Sequence, residues 1–423
     1  MYNWDVNHRL KSMVNELTAG QTTYGYDEFS NLVWSNQGNP FDYLHRNIAD
    51  VGNLYETKEK TDRVYGAGSR LLETKDAKFS YDEEGNLVQK VDKNGYTWKY
   101  EYTGNGMMSK VIKPDQTEVT FKYDPMGRRI EKGSNEKTTR FVWDGNTILH
   151  EYFLESDSSE LENLVESQSE SEIPDNLVTW VFNDGFVPSA KITSEGNYSI
   201  ISDYLGTPVE AYDEQGTKVW SAGLDIYGRV KEFTGEKDFI PFRYQGQYED
   251  VEIGLYYNRF RYYDPEQGNY TQIDPIGLAG GNPTLYGYVK DPNTIVDVWG
   301  LSGELVYQLL NKKDNVIYYG ITSRDALVRM VEHAGSGKVF SNMEIIAENL
   351  THDQARSIEG ALIRKRLREN IGNFNIDDSI LEKLKKSGLL NKNRGRVKER
   401  WISENPLNDL KDKMFDEPKK NKL

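Results

Sequence analysis

The chain has no cysteine. That excludes disulfides, thiolate metal ligands and cysteine nucleophiles. It leaves the compartment open, because secreted proteins can fold without disulfides. No run of about 18 apolar residues occurs, so no segment reads as a membrane span. No charged-then-apolar leader opens the sequence, and any export is expected to use a signal outside these residues.

At 423 residues the chain is long enough for two or three domains with a real core. Its net charge of −15 is unevenly spread. From Ser302 onward there are about 23 Lys+Arg against about 18 Asp+Glu, and before it about 29 against about 49. A basic tail on an acidic body points to a polyanion-binding part joined to one that does not bind polyanions.

The body is repetitive. Tyr81-Asp82-Glu83-Glu84-Gly85-Asn86-Leu87 is one unit, Tyr102-Thr103-Gly104-Asn105-Gly106 a degenerate second, and Tyr123-Asp124-Pro125-Met126-Gly127-Arg128 a third. Earlier copies are Trp4-Asp5-Val6-Asn7-His8-Arg9-Leu10 and Tyr24-Gly25-Tyr26-Asp27. Between them lie alternating runs such as Glu118-Val119-Thr120-Phe121-Lys122-Tyr123. Alternation predicts strands, and the Asp/Gly/Asn clusters predict the turns between them. Residues 1–150 therefore read as stacked strand–turn–strand units. The array opens inside a unit with no capping repeat, so the chain is expected to be part of a longer protein. Residues 151–176 hold the acidic, low-complexity stretch Glu155 to Asp175, which is too poor in apolar residues to offset its ordering entropy. It is expected to be a disordered loop inserted in the β region.

Strands resume at Leu177-Val178-Thr179-Trp180-Val181-Phe182. From there the motifs follow one another: Asp203-Tyr204-Leu205-Gly206-Thr207-Pro208, Tyr227-Gly228-Arg229, Arg243-Tyr244-Gln245-Gly246-Gln247 and Leu255-Tyr256-Tyr257-Asn258-Arg259-Phe260-Arg261-Tyr262-Tyr263-Asp264-Pro265. Asp274-Pro275-Ile276-Gly277-Leu278 and Asp297-Val298-Trp299-Gly300-Leu301 close the series. Over about 300 residues this resembles the Rhs/YD-repeat family. The resemblance implies a mainly β shell, a spiral or cocoon of strands enclosing a C-terminal toxin. It also implies that residues 177–301 end in a self-cleavage motif. In that family two aspartates cut the chain after the last Leu; by position they match Asp274 and Asp297, with the cut between Leu301 and Ser302. Two carboxylates held close can divide acid and base roles. The same aspartates can equally be turn residues that cap the backbone. Val298 stands where the family has proline.

After Leu301 the pattern changes. Glu304 to Leu310 and Val316 to Thr322 read as a hairpin around a Lys/Asn-rich turn. A helix is expected from about Asp325 to Ala334, with Leu327, Met330, Val331 and Ala334 apolar and Arg329 and His333 on the opposite face. A second helix begins at Thr351, where Thr351 and Gln354 fit a capping box. Its stripe is Ala355, Ile358 and Leu362, with Glu359 at the border. A border carboxylate is either paired, bound to a cation, or reaching solvent.

Residues 302–423 resemble the GIY-YIG nuclease family, a small α/β fold. Val306-Tyr307 matches the end of the first motif, with Leu305 where the family often has Gly, and Tyr318-Tyr319-Gly320 matches the second. Arg329 and His333 match its Arg-x-x-x-His, and Glu359 its metal-binding glutamate. Asn391 is the first choice for its late Asn and Asn375 the second. The resemblance implies that Tyr307 assists deprotonation of a water, Arg329 holds a phosphate oxygen and Glu359 binds Mg²⁺ or Mn²⁺. Tyr318 and His333 would orient these groups or shuttle protons. The basic runs Arg364 to Arg368 and Lys392 to Arg396 are either backbone contacts or solvated faces.

The expected function is a secreted or surface-delivered toxin whose metal-dependent nuclease acts on nucleic acid, DNA ahead of RNA, in the target-cell cytoplasm. Its expected partners are an immunity protein, the rest of the shell and a secretion apparatus. The alternatives are an RNase on the same scaffold and a non-catalytic YD-repeat adhesion protein. The acidic insert yields a first prediction. Deleting it should leave yield and melting temperature unchanged, and loss of soluble protein on deletion would show that it packs.

Overall fold

A computed structural model describes the chain except at residues 8, 15–19, 40, 135–136, 156–173, 184, 278–281, 302–303, 323–332, 334–337, 351, 371–382, 385, 387 and 391–423. The chain divides into two compact units. One comprises Met1–Gly277 with Pro283–Leu301, and the other Leu278–Asn282 with Ser302–Leu423.

The first unit is built on a 16-stranded antiparallel meander from Arg63–Tyr65 to Val230–Thr234, in which every strand pairs with its sequence neighbours. A five-stranded sheet, Tyr2–Trp4 through Tyr43–His45, precedes it. Alternation decides the faces. In Ala77–Tyr81, Ala77 and Phe79 are buried while Lys78 and Ser80 are exposed. In Glu118–Tyr123, Val119 and Phe121 are buried.

The repeat has two physical functions. Its aspartate closes the turn: Asp124 Oδ1 accepts the Met126 and Arg128 N–H groups, both at 2.9 Å, and its other oxygen accepts Arg128 Nε at 2.6 Å. Asp82 does the same with the Asn86 N–H at 2.7 Å and its side chain at 3.0 Å. Gly85 and Gly127 supply the positive φ these turns need, at 90° and 73°. The repeat tyrosine ends one strand and donates its hydroxyl to the carbonyl that opens the preceding strand. Tyr102 reaches Leu87 O at 2.8 Å, Tyr123 reaches Met108 O at 2.7 Å and Tyr26 reaches Leu10 O at 3.0 Å. Each repeat thus ties its strand to the one before it.

The meander continues on both sides of the acidic stretch, as expected of a loop inserted in the β region. Thr147–Glu155 pairs with Val178–Asn183, with His150 opposite Thr179. The acidic stretch joins two adjacent strands of one sheet, so the segments on either side are not separate domains. The expectation of disorder within it falls on residues 156–173, outside the described residues.

One face of the meander is covered by a short four-stranded sheet, Tyr248–Asp250, Leu255–Asn258, Arg261–Asp264 and Asn269–Tyr270, whose residues are all buried. Phe121, Phe141, Trp180 and Trp220 of the meander share one core with Tyr248, Tyr257 and Tyr262 of the cover. Within that core sits Arg129, 1% exposed, 2.5 Å from Asp250 Oδ2. Its guanidinium carbon lies 4.5 to 5.5 Å from the ring centres of Tyr257, Phe141, Tyr248 and Phe121. Nε and Nη2 make no hydrogen bond, so the flat faces of the rings take up part of the charge. Lys132 completes the neutralisation, 3.0 Å from Asp250 Oδ1 and 2.8 Å from Glu252.

The second unit holds a three-stranded antiparallel sheet, with Glu304–Leu310 between Val316–Thr322 and Asn342–Leu350. The hairpin was legible in the sequence; the third strand was not. Helix His352–Glu369 packs on the sheet. Val306 and Tyr319 join Ile358, Leu362 and Ile363 in its core.

Removing one partner of a buried ion pair strands the other. Arg129→Met is expected to lower unfolding free energy by about 3 kcal/mol in urea titrations, with Arg129→Met/Asp250→Leu recovering part of the loss. A loss under about 1 kcal/mol would mean that the pair does not hold the cover in place.

Candidate cleavage and nuclease sites

Asp274 and Asp297 come together through a residue that sequence reasoning left without a role. Arg261 Nη2 lies 3.0 Å from Asp274 Oδ2 and 3.3 Å from Asp297 Oδ2. All three side chains are buried, at 1% exposure for Arg261, 3% for Asp274 and 5% for Asp297. Arg261 also donates from Nε to the Gly300 carbonyl and from Nη1 to the Leu285 carbonyl, and its guanidinium stacks 3.6 Å from the Tyr270 ring centre. Asp297 Oδ1 accepts the Leu301 N–H at 2.8 Å, and Oδ2 accepts the Tyr270 hydroxyl at 2.9 Å. Asn258 holds the arrangement from behind, donating to the Asp297 carbonyl at 2.8 Å and to Tyr270 Oη at 2.7 Å.

Burial pushes the Asp297 carboxyl above the usual carboxylate range, against the opposing pull of Arg261, the Leu301 N–H and the Tyr270 hydroxyl. Both aspartates also cap turns. Asp274 Oδ1 accepts the Ile276 N–H at 3.0 Å. The turn role and the clustered role therefore coexist. Close approach of the closing strap requires glycine twice. A Cβ on Gly300, at φ 62°, would collide with the Asn258 carbonyl, and one on Gly246, at φ 85°, with the carbonyl of Val298. Arg261 and Asn258 lie inside the tyrosine-rich motif. Polar side chains within a wholly buried strand pair were the signal that could have found them. Ser302 lies outside the described residues.

In the tail, Tyr307 pairs with Gly320 across the hairpin. A Cβ at Gly320 would collide with the Tyr307 ring and come within 2.7 Å of Tyr318 Cε1, so glycine is required by the ring that covers it. Val306 and Tyr319 point to the helix, and alternation puts Tyr307 and Tyr318 on the other face. There they meet His333. Tyr307 Oη lies 2.5 Å from His333 Nε2, and the Tyr318 and His333 rings are 5.0 Å apart at 63°. Tyr307 and His333 are buried, at 0% and 1% exposure, whereas Tyr318 is partly exposed. Glu359 is partly buried on helix His352–Glu369. Arg329, Asn391, Asn375, Thr351 and all of the first expected helix except His333 lie outside the described residues. Nothing in the sequence pattern marked Lys338, which reaches His333 from five residues further on.

The sequence model of the family described as Teneurin YD-shell matches residues 2–278. The chain belongs to this YD-shell family. Three relatives show how widely the shell is shared. Double-stranded DNA deaminase toxin A of Burkholderia cenocepacia (strain H111) is 32% identical over 303 residues, 67% of this chain and 21% of that protein. The protein named probable deoxyribonuclease RhsB of Dickeya dadantii (strain 3937) is 32% identical over 259 residues, 58% of this chain and 17% of its own length. The tRNA nuclease WapA of Bacillus subtilis (strain 168) is 26% identical over 281 residues, 65% of this chain and 11% of its own. The YD-shell chain thus spans about a fifth or less of these relatives. No helix among the described residues is long and apolar enough to cross a membrane.

Proposed function

We propose that this YD-shell chain is the C-terminal part of an Rhs-type toxin. The shell separates itself from the tail after Leu301, and the tail is a metal-dependent nuclease acting on DNA. The observation that carries the nuclease reading is the packing of Tyr307, Tyr318 and His333 around Gly320 on one face of the tail sheet. Relatives named deoxyribonuclease and tRNA nuclease support the reaction class. A deaminase of the zinc type needs cysteine ligands, and this chain has none.

In this reading Tyr307 and His333 form the proton-handling pair, and Tyr318, the more exposed ring, orients the attacking water. Arg329 holds a phosphate oxygen with its planar fork. No cluster of three or more His, Asp or Glu suited to a metal occurs among the described residues. Glu359 as one carboxylate ligand fits Mg²⁺ or Mn²⁺, which are held by one or two carboxylates together with substrate phosphate. When bound, the ion would supply charge stabilisation to the phosphate. An immunity protein and a secretion apparatus are the partners such a toxin requires.

For the cleavage, Asp297, whose proton affinity burial raises, serves as the acid, and Asp274 as the base that activates a water. Arg261 offsets the second negative charge and grips the strap at Gly300. Intact-mass measurement of fresh protein is expected to show a C-terminal piece beginning at Ser302. Asp274→Asn and Asp297→Asn should each leave one uncut chain. An uncut wild type, or unchanged cutting in either variant, overturns self-cleavage.

The nuclease reading is tested by incubating the purified full chain with supercoiled plasmid and total RNA, with Mg²⁺ or with chelator. Mg²⁺-dependent nicking of plasmid is expected. Cleavage of RNA with intact plasmid selects the RNase alternative. Inertness toward both supports the adhesion reading. Glu359→Gln and Arg329→Lys should each slow cleavage on the order of a thousandfold while melting like wild type. A well-folded Glu359→Gln that still cuts would remove the GIY-YIG assignment.

A further inference from the structure

A third side chain completes the Tyr307–His333 pair. Lys338 Nζ lies 2.6 Å from His333 Nδ1, across the ring from the nitrogen that meets Tyr307 at 2.5 Å. The backbone holds it there, because the Lys338 N–H donates to the His333 carbonyl at 3.1 Å. Its Nζ also sits 4.8 Å from the centre of the Tyr318 ring, a cation over an aromatic face. Lys338 therefore touches two of the three aromatic side chains in the cluster.

These contacts have a direction. An ammonium carries three donors and no acceptor, whereas a neutral imidazole carries one of each. Lys338 can only donate, so Nδ1 must present its lone pair. The single ring proton is then on Nε2, facing the Tyr307 oxygen. A protonated ring would set two cations 2.6 Å apart with no lone pair between them, so the ring is held neutral.

We infer that Lys338 is a positioning residue that fixes His333 as its Nε2–H tautomer and makes Tyr307 the acceptor in their hydrogen bond. His333 is then not the base that takes the Tyr307 proton. It donates to the phenol oxygen and so holds ring and phenol in one relative orientation. The tautomer assignment stands on geometry alone; only its effect on rate rests on the nuclease reading.

The tautomer is read directly from long-range ¹H–¹⁵N spectra of the full chain labelled in histidine. A His333→Gln variant identifies the His333 signals among the five histidines. At neutral pH the wild type is expected to show a protonated Nε2 and a bare Nδ1. Lys338→Arg, whose guanidinium also only donates, should keep that pattern, and Lys338→Met should release the ring to a mixture. A wild-type ring protonated at Nδ1, or at both nitrogens, overturns the inference without recourse to any variant, so poor folding of Lys338→Met cannot shelter it. An unchanged tautomer in folded Lys338→Met overturns it as well.

On plasmid, Lys338→Met should lower kcat on the order of a hundredfold with KM little changed, and Lys338→Arg should restore it. An arginine variant that keeps the tautomer yet remains as slow as the methionine variant overturns the link to rate. The expected tautomer in a chain that cuts neither plasmid nor RNA sustains the assignment and defeats the nuclease reading instead.

Discussion

A 16-stranded meander has one face too large to leave in water, and the cover that protects it is only four short strands. Arg129 joins the two. Its charge faces Asp250 of the cover, and its flat faces lie against rings from both layers. Such a group is costly to bury and more costly to leave unpaired. It favours the one register of cover on meander that places Asp250 opposite it. Tyr257 answers the same strand from the cover, accepting the Arg129 N–H at 3.0 Å. The large aromatic core supplies the bulk of the burial, and this pair selects how it is assembled.

The same device appears at the closing motif with a different outcome. Arg261 is as buried as Arg129, but it serves two carboxylates and a backbone strap. Two close carboxylates alone would have to share a proton. A guanidinium between them lets one carry charge while burial raises the proton affinity of the other. The structural cation and the two clustered carboxyls are therefore one arrangement. It is held in place by the cover strands that Arg129 anchors.

The tail relies on crowding rather than charge to set its cluster. The Tyr307 ring occupies the space above Gly320, Tyr318 stands beside it, and His333 closes the group. A glycine in a strand interior normally weakens a sheet. Here its missing side chain leaves the space that the Tyr307 ring occupies. Lys338 then settles which way the hydrogen bonds run.

The sequence by itself determined the strands and turns of the repeats, the change of character after Leu301 and the hairpin bearing Tyr307 and Tyr318. These are local: alternation, turn aspartates and glycines are written in neighbouring residues. Asp274 and Asp297 were also legible, since each sits in a short motif of its own. Arg261 and Lys338 were not. Arg261 acts on residues 13 and 36 positions away, and Lys338 follows the Gly335-Ser336-Gly337 link, which carries no pattern to aim it. The strand Asn342–Leu350 was missed for a similar reason, because it pairs with the far edge of a hairpin that looked complete. The acidic stretch was read as an insertion in the β region from its composition, but which two strands it joins is decided only when the sheet forms. What depends on the next few residues could be read from the chain. What depends on which distant groups must neutralise or cover one another was decided by the tertiary structure, because charge and bulk are balanced across space rather than along the sequence.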